Sequence, residues 1–244
     1  MKIHIIGRGF IAKALAALYL RDDEHQVSVG SDVVKEHFDL VIYASGTSRK
    51  YYAGECPVTC FYESVFKLYH YMHNFSFERF VLLSSIDAEN SVTNYGAIKS
   101  LAEDAYNACQ KAFKGMILRL PAMVGPGLQK GVVFDLVHRN ELRISQKSIL
   151  QIAHTDEIKK AIDYFLSTKE WRSGVILTPA DTISVEELVS ICCRGELHRY
   201  VDCERHKQDY SSLIYAQPSF EKRRCGTSRE AVNQYLRELE ESHA

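Results

Sequence analysis

Lys2-Ile3-His4-Ile5-Ile6-Gly7-Arg8-Gly9-Phe10-Ile11-Ala12 is the stretch that decides the fold. Residues 2–6 read as a short buried strand, rich in isoleucine, and residues 9–21 read as a helix. Between them stands a glycine turn. Glycine permits positive φ and lets another group approach the backbone closely. The N-terminus of the following helix offers unpaired N–H groups and a partial positive charge. A glycine string by itself marks no more than a turn. Placed directly after the first strand and opening the first helix, it is the context that holds the pyrophosphate of a dinucleotide. Gly7, Arg8, Gly9, Phe10 and Ile11 are therefore the first candidate binding residues.

Working outward, apolar runs alternate with helical patterns, as in a parallel sheet with crossover helices. Strands are expected at Gln26–Val29, Asp39–Ala44, Phe80–Ser85 and Gly115–Leu120. Helices are expected over 57–75 and 95–113. After Pro121 the pattern changes, and Val124-Gly125-Pro126-Gly127 reads as a loop. Helices follow near 131–139, 155–168, 184–193 and 228–241, with a strand at 174–178. The expected architecture is α/β: a Rossmann-type doubly wound parallel sheet with a small C-terminal substrate-binding lobe. Residues 1–120 form the dinucleotide-binding core, to which later segments return, and 121–244 form mainly the lobe.

The end of the second strand bears on which dinucleotide is bound. An acid there usually accepts the ribose hydroxyl of NAD. Here the strand runs Gln26-Val27-Ser28-Val29 into Gly30-Ser31, with Asp32 slightly later. Arg8, inside the glycine loop, suits a 2′-phosphate. Both features favour NADP over NAD, with Ser31 lining the ribose.

A second constellation lies downstream. Ser84-Ser85 ends a strand and Tyr95-Gly96-Ala97-Ile98-Lys99 opens a helix. Positions i and i+4 share a helix face, so Tyr95 and Lys99 point the same way. A nearby ammonium favours tyrosinate, lowering a phenol pKa that is ordinarily about 10. A tyrosine tuned in this way can pass a proton to or from a hydroxyl or carbonyl. Ser85 would bond the same substrate oxygen. In a chain with 14 tyrosines the spacing alone would be an exposed helix pair. Its place after a Ser-Ser strand end, downstream of the glycine loop, makes Ser85, Tyr95 and Lys99 the candidate catalytic set. Asp87 reads as an exposed loop carboxylate rather than a base, and Cys60 and His154 are weaker candidates for acid/base work.

Composition excludes several other classes. Hydrophobic residues make up 46%, charged residues 25%, and net charge is −1, which suits a globular chain without a nucleic-acid partner. No apolar run approaches the roughly 18 residues of a membrane span. Seven cysteines without framework spacing read as reduced thiols in a cytoplasmic protein. Cys192, Cys193, His198, Cys203 and His206 lack zinc-type pairing, so no metal is expected. Trp171 reads as a packing residue, and Cys203–Ser212 as a lobe loop without assigned chemistry.

The order and spacing of these pieces resemble the extended short-chain dehydrogenase/reductases, the NAD-dependent epimerase/dehydratase family, from Met1 to about Leu188. The glycine loop, Asp39 to Gly46, Arg79 to Ser85, Tyr95 with Lys99, Arg119 to Gly127, Ile152 to Glu157 and Thr182 to Leu188 carry the resemblance. It implies that Ala44, Ser45, Gly46, Ser84, Leu120 and Pro121 join the cofactor site, with Tyr95 and Lys99 also touching the cofactor. The resemblance further implies hydride transfer on a sugar or nucleotide sugar and a homodimer through the aromatic helix bearing Phe61, Tyr62, Phe66 and Tyr69. The ten-residue step from Ser85 to Tyr95 resembles the inverting nucleotide-sugar 4,6-dehydratases, yet Ile86-Asp87 replaces their Asp-Lys pair and matches no better the Asp-Glu pair of the retaining enzymes. Three functions stay open: a reductase or oxidase of a sugar carbonyl or hydroxyl, an epimerase or dehydratase with retained dinucleotide, and a non-catalytic dinucleotide-binding regulator.

Overall fold

The computed structural model describes residues 1–32, 36–89, 92–109, 113–168, 174–193, 208–210 and 221–243. The elements run β1 (Lys2–Ile6), α1 (Phe10–Leu20), β2 (Gln26–Gly30), β3 (His37–Tyr43), α2 (Lys50–Glu55), α3 (Pro57–Phe61), a π-helical turn (Tyr62–Phe66), α4 (Lys67–Asn74), β4 (Ser76–Ser85), a 3-10 turn (Ile86–Glu89), α5 (Asn94–Cys109) and β5 (Lys114–Leu120). They continue with β6 (Ala122–Val124), α6 (Val132–Val137), β7 (Ile149–Leu150), β8 (Ile152–His154), α7 (Asp156–Thr168), β9 (Gly174–Thr178), β10 (Ile183–Ser184), α8 (Val185–Cys193), β11 (Glu221–Arg224) and α9 (Ser228–His243). The main sheet has seven strands in the order β11-β9-β5-β4-β3-β1-β2. Pairings from β2 through β9 are all parallel. The fold class is the Rossmann-type one expected. Strand order reverses around β1, with β2 on one side and β3 on the other, so β1 borders the switch point where α/β sheets open a crevice.

Two compact units divide the chain: Met1–Leu120, Ile158–Ile176 and Ser219–Lys222 in the first, and Pro121–Glu157, Leu177–Pro218 and Arg223–Ala244 in the second. In the first, Ile3, Ile5, Ile6, Leu40, Val41, Ile42 and Tyr43 are all essentially inaccessible, as strands covered on both faces must be. Phe38 and Tyr43 of β3, Phe75 after α4, Phe80 of β4 and Tyr106 of α5 share an aromatic cluster. His4 belongs to this buried surface, stacked on Phe38 at 4.9 Å and Phe75 at 5.1 Å, and burial lowers its pKa.

Three departures from the expected elements have local causes. The helix expected over 57–75 is broken into α3, a π-helical turn and α4, because the ladder slips by one residue at Tyr62–Phe66. A further helix, α2, precedes it; six residues are too few for a periodic stripe to show. Strand β4 starts at Ser76 rather than Phe80, pairing Ser76 with His37 and Phe77 with Phe38. Its first residues alternate polar and apolar at a partly exposed edge, so they lack the continuous apolar run of the rest. Residues 110–112 of the helix expected to 113, Trp171, and most of Cys203–Ser212 lie outside the described residues.

In the second unit β6 pairs with β8 in parallel and β7 with β10 antiparallel. Val124, Leu136, Ile152, Leu188, Val232 and Tyr235 form its core. Fully buried Ser228 starts α9, its hydroxyl accepting the Ile152 N–H at 3.1 Å and its own N–H donating to Asp181 Oδ1 at 2.6 Å.

A buried ionic cluster fastens β4, β5 and α5 in the first unit. Arg119 donates through Nε and Nη2 to the two carboxylate oxygens of Glu103, at 2.9 and 2.7 Å. Ser84 donates to the same Glu103 at 2.5 Å, and Glu89 lies 3.8 Å from Arg119 Nη1. Burial pushes the Glu89 carboxyl up, while the Arg119 charge pulls it down. Removing one partner of such a cluster strands the others without water. Arg119→Met is expected to lower unfolding stability by about 3–5 kcal/mol, read from the midpoint of a denaturant titration. A loss under about 1 kcal/mol, the range of exposed pairs, would contradict the central place given to this cluster.

Candidate active site

The glycine loop follows β1 and meets the ends of both neighbouring strands. The Gly7 N–H donates to the Gly30 carbonyl at 3.3 Å, and the Ala44 N–H to the Ile6 carbonyl at 2.9 Å. Gly7 has φ +138°, and a Cβ there would stand 2.7 Å from the Ala44 carbonyl oxygen. Only glycine satisfies both the angle and the close approach. Gly9 takes an extended conformation as N-cap of α1 and nothing lies within 4 Å of where its Cβ would be. No side chain caps the helix and its first turn carries no acid. Its first N–H groups therefore have no side-chain cap, which suits them to an anionic pyrophosphate. The residues present fit a dinucleotide.

Around this loop, Gly46 has φ +98° and packs on Ser64, whose Oγ accepts the Thr47 N–H at 3.2 Å. Tyr71 donates its hydroxyl to the Ser31 carbonyl at 2.6 Å, tying the end of β2 to α4. Asp32 Oδ2 lies 4.0 Å from Arg8 Nη2, both side chains well exposed. An acid thus stands beside the arginine, where the strand sequence by itself had none at its end.

Strand β4 delivers the second constellation. Ser85 is its last residue and pairs in register with Leu120 of β5. The 3-10 turn that follows brings α5 very close: a Cβ on Gly96 would collide with the Asp87 carbonyl. That approach sets Tyr95 against Ser85, and their hydroxyls are hydrogen-bonded. Tyr95 and Lys99 are each 8% exposed, with the Lys99 Nζ 5.7 Å from the centre of the Tyr95 ring. The three expected residues are therefore brought together.

Two expectations about the chemistry are corrected. Lys99 was expected to lower the Tyr95 pKa, whereas the protein around Tyr95 raises it well above the ordinary phenol value. Burial is the main cause and the negative charge of Asp87 adds to it, against the hydrogen bond with Ser85. The phenol is held protonated. Asp87, expected in an exposed loop, has a side chain only 15% exposed. It accepts the Ser85 hydroxyl at 2.8 Å and pairs with Lys50 at 2.9 Å. The turn, not the sequence spacing, folds it inward. Lys50 was not anticipated; it lies on α2, 37 positions from Asp87, and beside Arg49 in a polar stretch it carries no signal.

Cys60 is fully buried in the hydrophobic cluster that also contains Tyr95, among apolar side chains. His154 and Pro121 belong to the second unit. His154 Nε2 lies 2.9 Å from Glu238 Oε2 and its Nδ1 lies 3.4 Å from Asp156. Burial pulls its pKa down, but the two carboxylates outweigh it and raise it. His154, Asp156 and Glu238 are the one grouping of metal-type ligands among the described residues. Gln234 Nε2 reaches all three, at 3.0–3.2 Å, so the amide already occupies the position of a cation. His198, Cys203 and His206 lie outside the described residues. No described helix is long and apolar enough to cross a membrane.

No protein-family profile matches the chain, and no curated protein sequence matches it. Solved structures do. MoeE5, solved with UDP-glucose and NAD, superposes with a TM-score of 0.80 at 15% identity over 100% of both chains. A UDP-glucuronic acid 4-epimerase from Bacillus cereus, solved with UDP-glucuronic acid and NAD, gives 0.74 at 13% identity over 96% of this chain and 93% of that one. A dTDP-4-dehydrorhamnose reductase from Clostridium acetobutylicum gives 0.75 at 13% identity over 98% and 100%. Over its whole length the chain therefore has the fold of the extended short-chain dehydrogenase/reductases, to which these proteins belong.

Proposed function

We propose that the chain is a nicotinamide-dinucleotide-dependent oxidoreductase of a nucleotide sugar, reducing a carbonyl with Tyr95 as the proton donor. The observation that carries the reading is the convergence of Ser85, Tyr95 and Lys99, with Tyr95 buried and held protonated, at the C-terminal end of a strand in the same parallel sheet that presents the glycine loop. Gly7, Gly9, Phe10 and Ile11 would hold the pyrophosphate, Ala44 to Gly46 would border the dinucleotide, and Lys99 would bond its ribose. The dinucleotide supplies the hydride that adds to the carbonyl carbon. Tyr95 gives its proton to the carbonyl oxygen, and Ser85 orients that oxygen. A phenol that holds its proton is suited to this direction, because the group that must donate is already charged with its proton.

The nucleotide is read as NAD. Asp32 stands beside Arg8, placed to accept a ribose hydroxyl and to oppose a 2′-phosphate. The structures of MoeE5 and of the Bacillus cereus epimerase were solved with NAD. A second reading, an epimerase that keeps its dinucleotide through the cycle, is favoured by those same two structures, both solved with UDP-sugars. Pairing with a second copy is supported by Val58, Phe61, Tyr62, Phe66, Tyr69 and Leu101, large apolar side chains exposed on the helices of the first unit.

Mass spectrometry and fluorescence titration of the purified protein test the reading first. NAD(H) that exchanges freely is expected; tightly retained NAD would favour the epimerase, and binding of neither NAD(H) nor NADP(H) would remove the enzymatic reading. With UDP-glucose or UDP-glucuronic acid as probe of the reverse, oxidising direction and bound nicotinamide absorbance as readout, Tyr95→Phe is expected to slow hydride transfer by about 100-fold or more while dinucleotide affinity is unchanged. Asp32→Ala is expected to shift preference toward NADPH by about tenfold, some 1.4 kcal/mol; a wild-type protein that prefers NADPH and loses that preference in Arg8→Ala would restore the NADP assignment. In sedimentation the wild type is expected at twice the chain mass and Phe66→Glu at the chain mass. A monomeric wild type would reject the pairing.

A further inference from the structure

Tyr95 is almost inaccessible, yet an acid/base group that turns over must recover its proton from water. Ser85 has a single hydroxyl proton and donates it to Asp87 Oδ2 at 2.8 Å. Its oxygen accepts the Asp87 N–H at 3.2 Å, and its second lone pair is left to accept from the Tyr95 hydroxyl, with which it is bonded. Asp87 accepts at one oxygen from Ser85 and at the other from Lys50 Nζ, at 2.9 Å. Side-chain exposure rises along this line, from buried Tyr95 and Ser85 to 15% at Asp87 and 40% at Lys50. The Ser85 hydroxyl thus donates toward a carboxylate that water can reach, and the Lys50 ammonium holds that carboxylate from its outer side.

We propose that Asp87, held in place by Lys50, is a proton-relay residue that connects Tyr95 through Ser85 to solvent. The role of the relay in turnover rests on the oxidoreductase reading; its existence does not. When Tyr95 loses its proton outward, the Ser85 O–H bond breaks and its proton joins the Asp87 carboxylate. The Tyr95 O–H bond breaks in the same movement and its proton bonds to the Ser85 oxygen. Tyrosinate, serine and neutral aspartic acid remain, and Asp87 returns its proton to water. After Tyr95 has protonated a substrate oxygen, the same steps in reverse restore the phenol. Lys50 keeps the carboxylate aimed at Ser85 and touches no reacting atom, so it is a positioning residue.

The test reads hydroxyl exchange at Tyr95 directly. Protein labelled with carbon-13 at the tyrosine ring carbon bearing oxygen is placed in equal parts of light and heavy water. A hydroxyl that exchanges quickly gives one averaged signal, and one that exchanges slowly gives two. Tyr95→Phe identifies the signal. In the wild type fast exchange is expected. In Asp87→Asn, near in shape but unable to carry the proton, exchange is expected to slow by about 100-fold, within the range a positioned acid/base group contributes, with recovery in Asp87→Glu. Tyr106, fully buried and donating to the Phe80 carbonyl at 3.0 Å, is the internal reference. Unchanged exchange at Tyr95 in Asp87→Asn would overturn the relay, as would an equal slowing at Tyr106, which would mark a fold-wide effect. Neither dinucleotide nor substrate is present, so failure of the relay and failure of the enzymatic reading, which appears as absent dinucleotide binding, are told apart.

Discussion

Arg119 and Glu103 face each other inside the first unit through two parallel hydrogen bonds, and Ser84 donates to the same carboxylate. Strand β5, helix α5 and strand β4 meet at this point. A guanidinium fork and a carboxylate match in only one relative orientation, so their pairing sets how α5 lies across the two strands. That orientation places the first turn of α5, with Tyr95 and Lys99, over the end of β4, with Ser85. Breaking the contact leaves charge buried without compensation, and the cluster therefore holds one arrangement of the candidate site rather than several.

Glycine does the complementary work where elements come too near for a side chain. Gly96 lets α5 approach the turn that follows β4, and Gly7 lets the loop after β1 lie on the Ala44 carbonyl. The first contact sets Tyr95 beside Ser85; the second holds the loop that leads into α1, whose N-terminus has no side-chain cap. Buried ion pairing supplies the orientation, and the missing Cβ atoms supply the proximity.

The electrostatics of the site run opposite to a simple pairwise reading. Lys99 Nζ lies 5.7 Å from the centre of the Tyr95 ring, but burial of the phenol and the nearby Asp87 carboxylate both favour the neutral form. Desolvation acts on the whole charge, whereas a single neighbouring ammonium supplies only part of a hydration shell. A buried donor that keeps its proton, linked through Ser85 to a partly buried carboxylate, can be both a ready acid and one that is easily recharged.

Much of this was legible in the residues themselves. Strand, glycine turn and helix at 2–21 follow from local composition, as do the apolar strands covered on both faces and the common helix face of Tyr95 and Lys99, because each depends on neighbours in sequence. Asp87, Lys50 and Asp32 were not legible as partners. A carboxylate in a polar turn looks solvated whether it points out or in, and its direction is set by a 3-10 turn pressed against a helix nine residues on. Lys50 and Asp87 are far apart in the chain and meet only because β3 and β4 are adjacent strands. The sequence by itself determined which elements form and which side chains share a face, since those are matters of local backbone geometry. Tertiary structure alone decided which charges are buried together, and so which proton Tyr95 keeps, because desolvation belongs to the packed molecule and to no single residue.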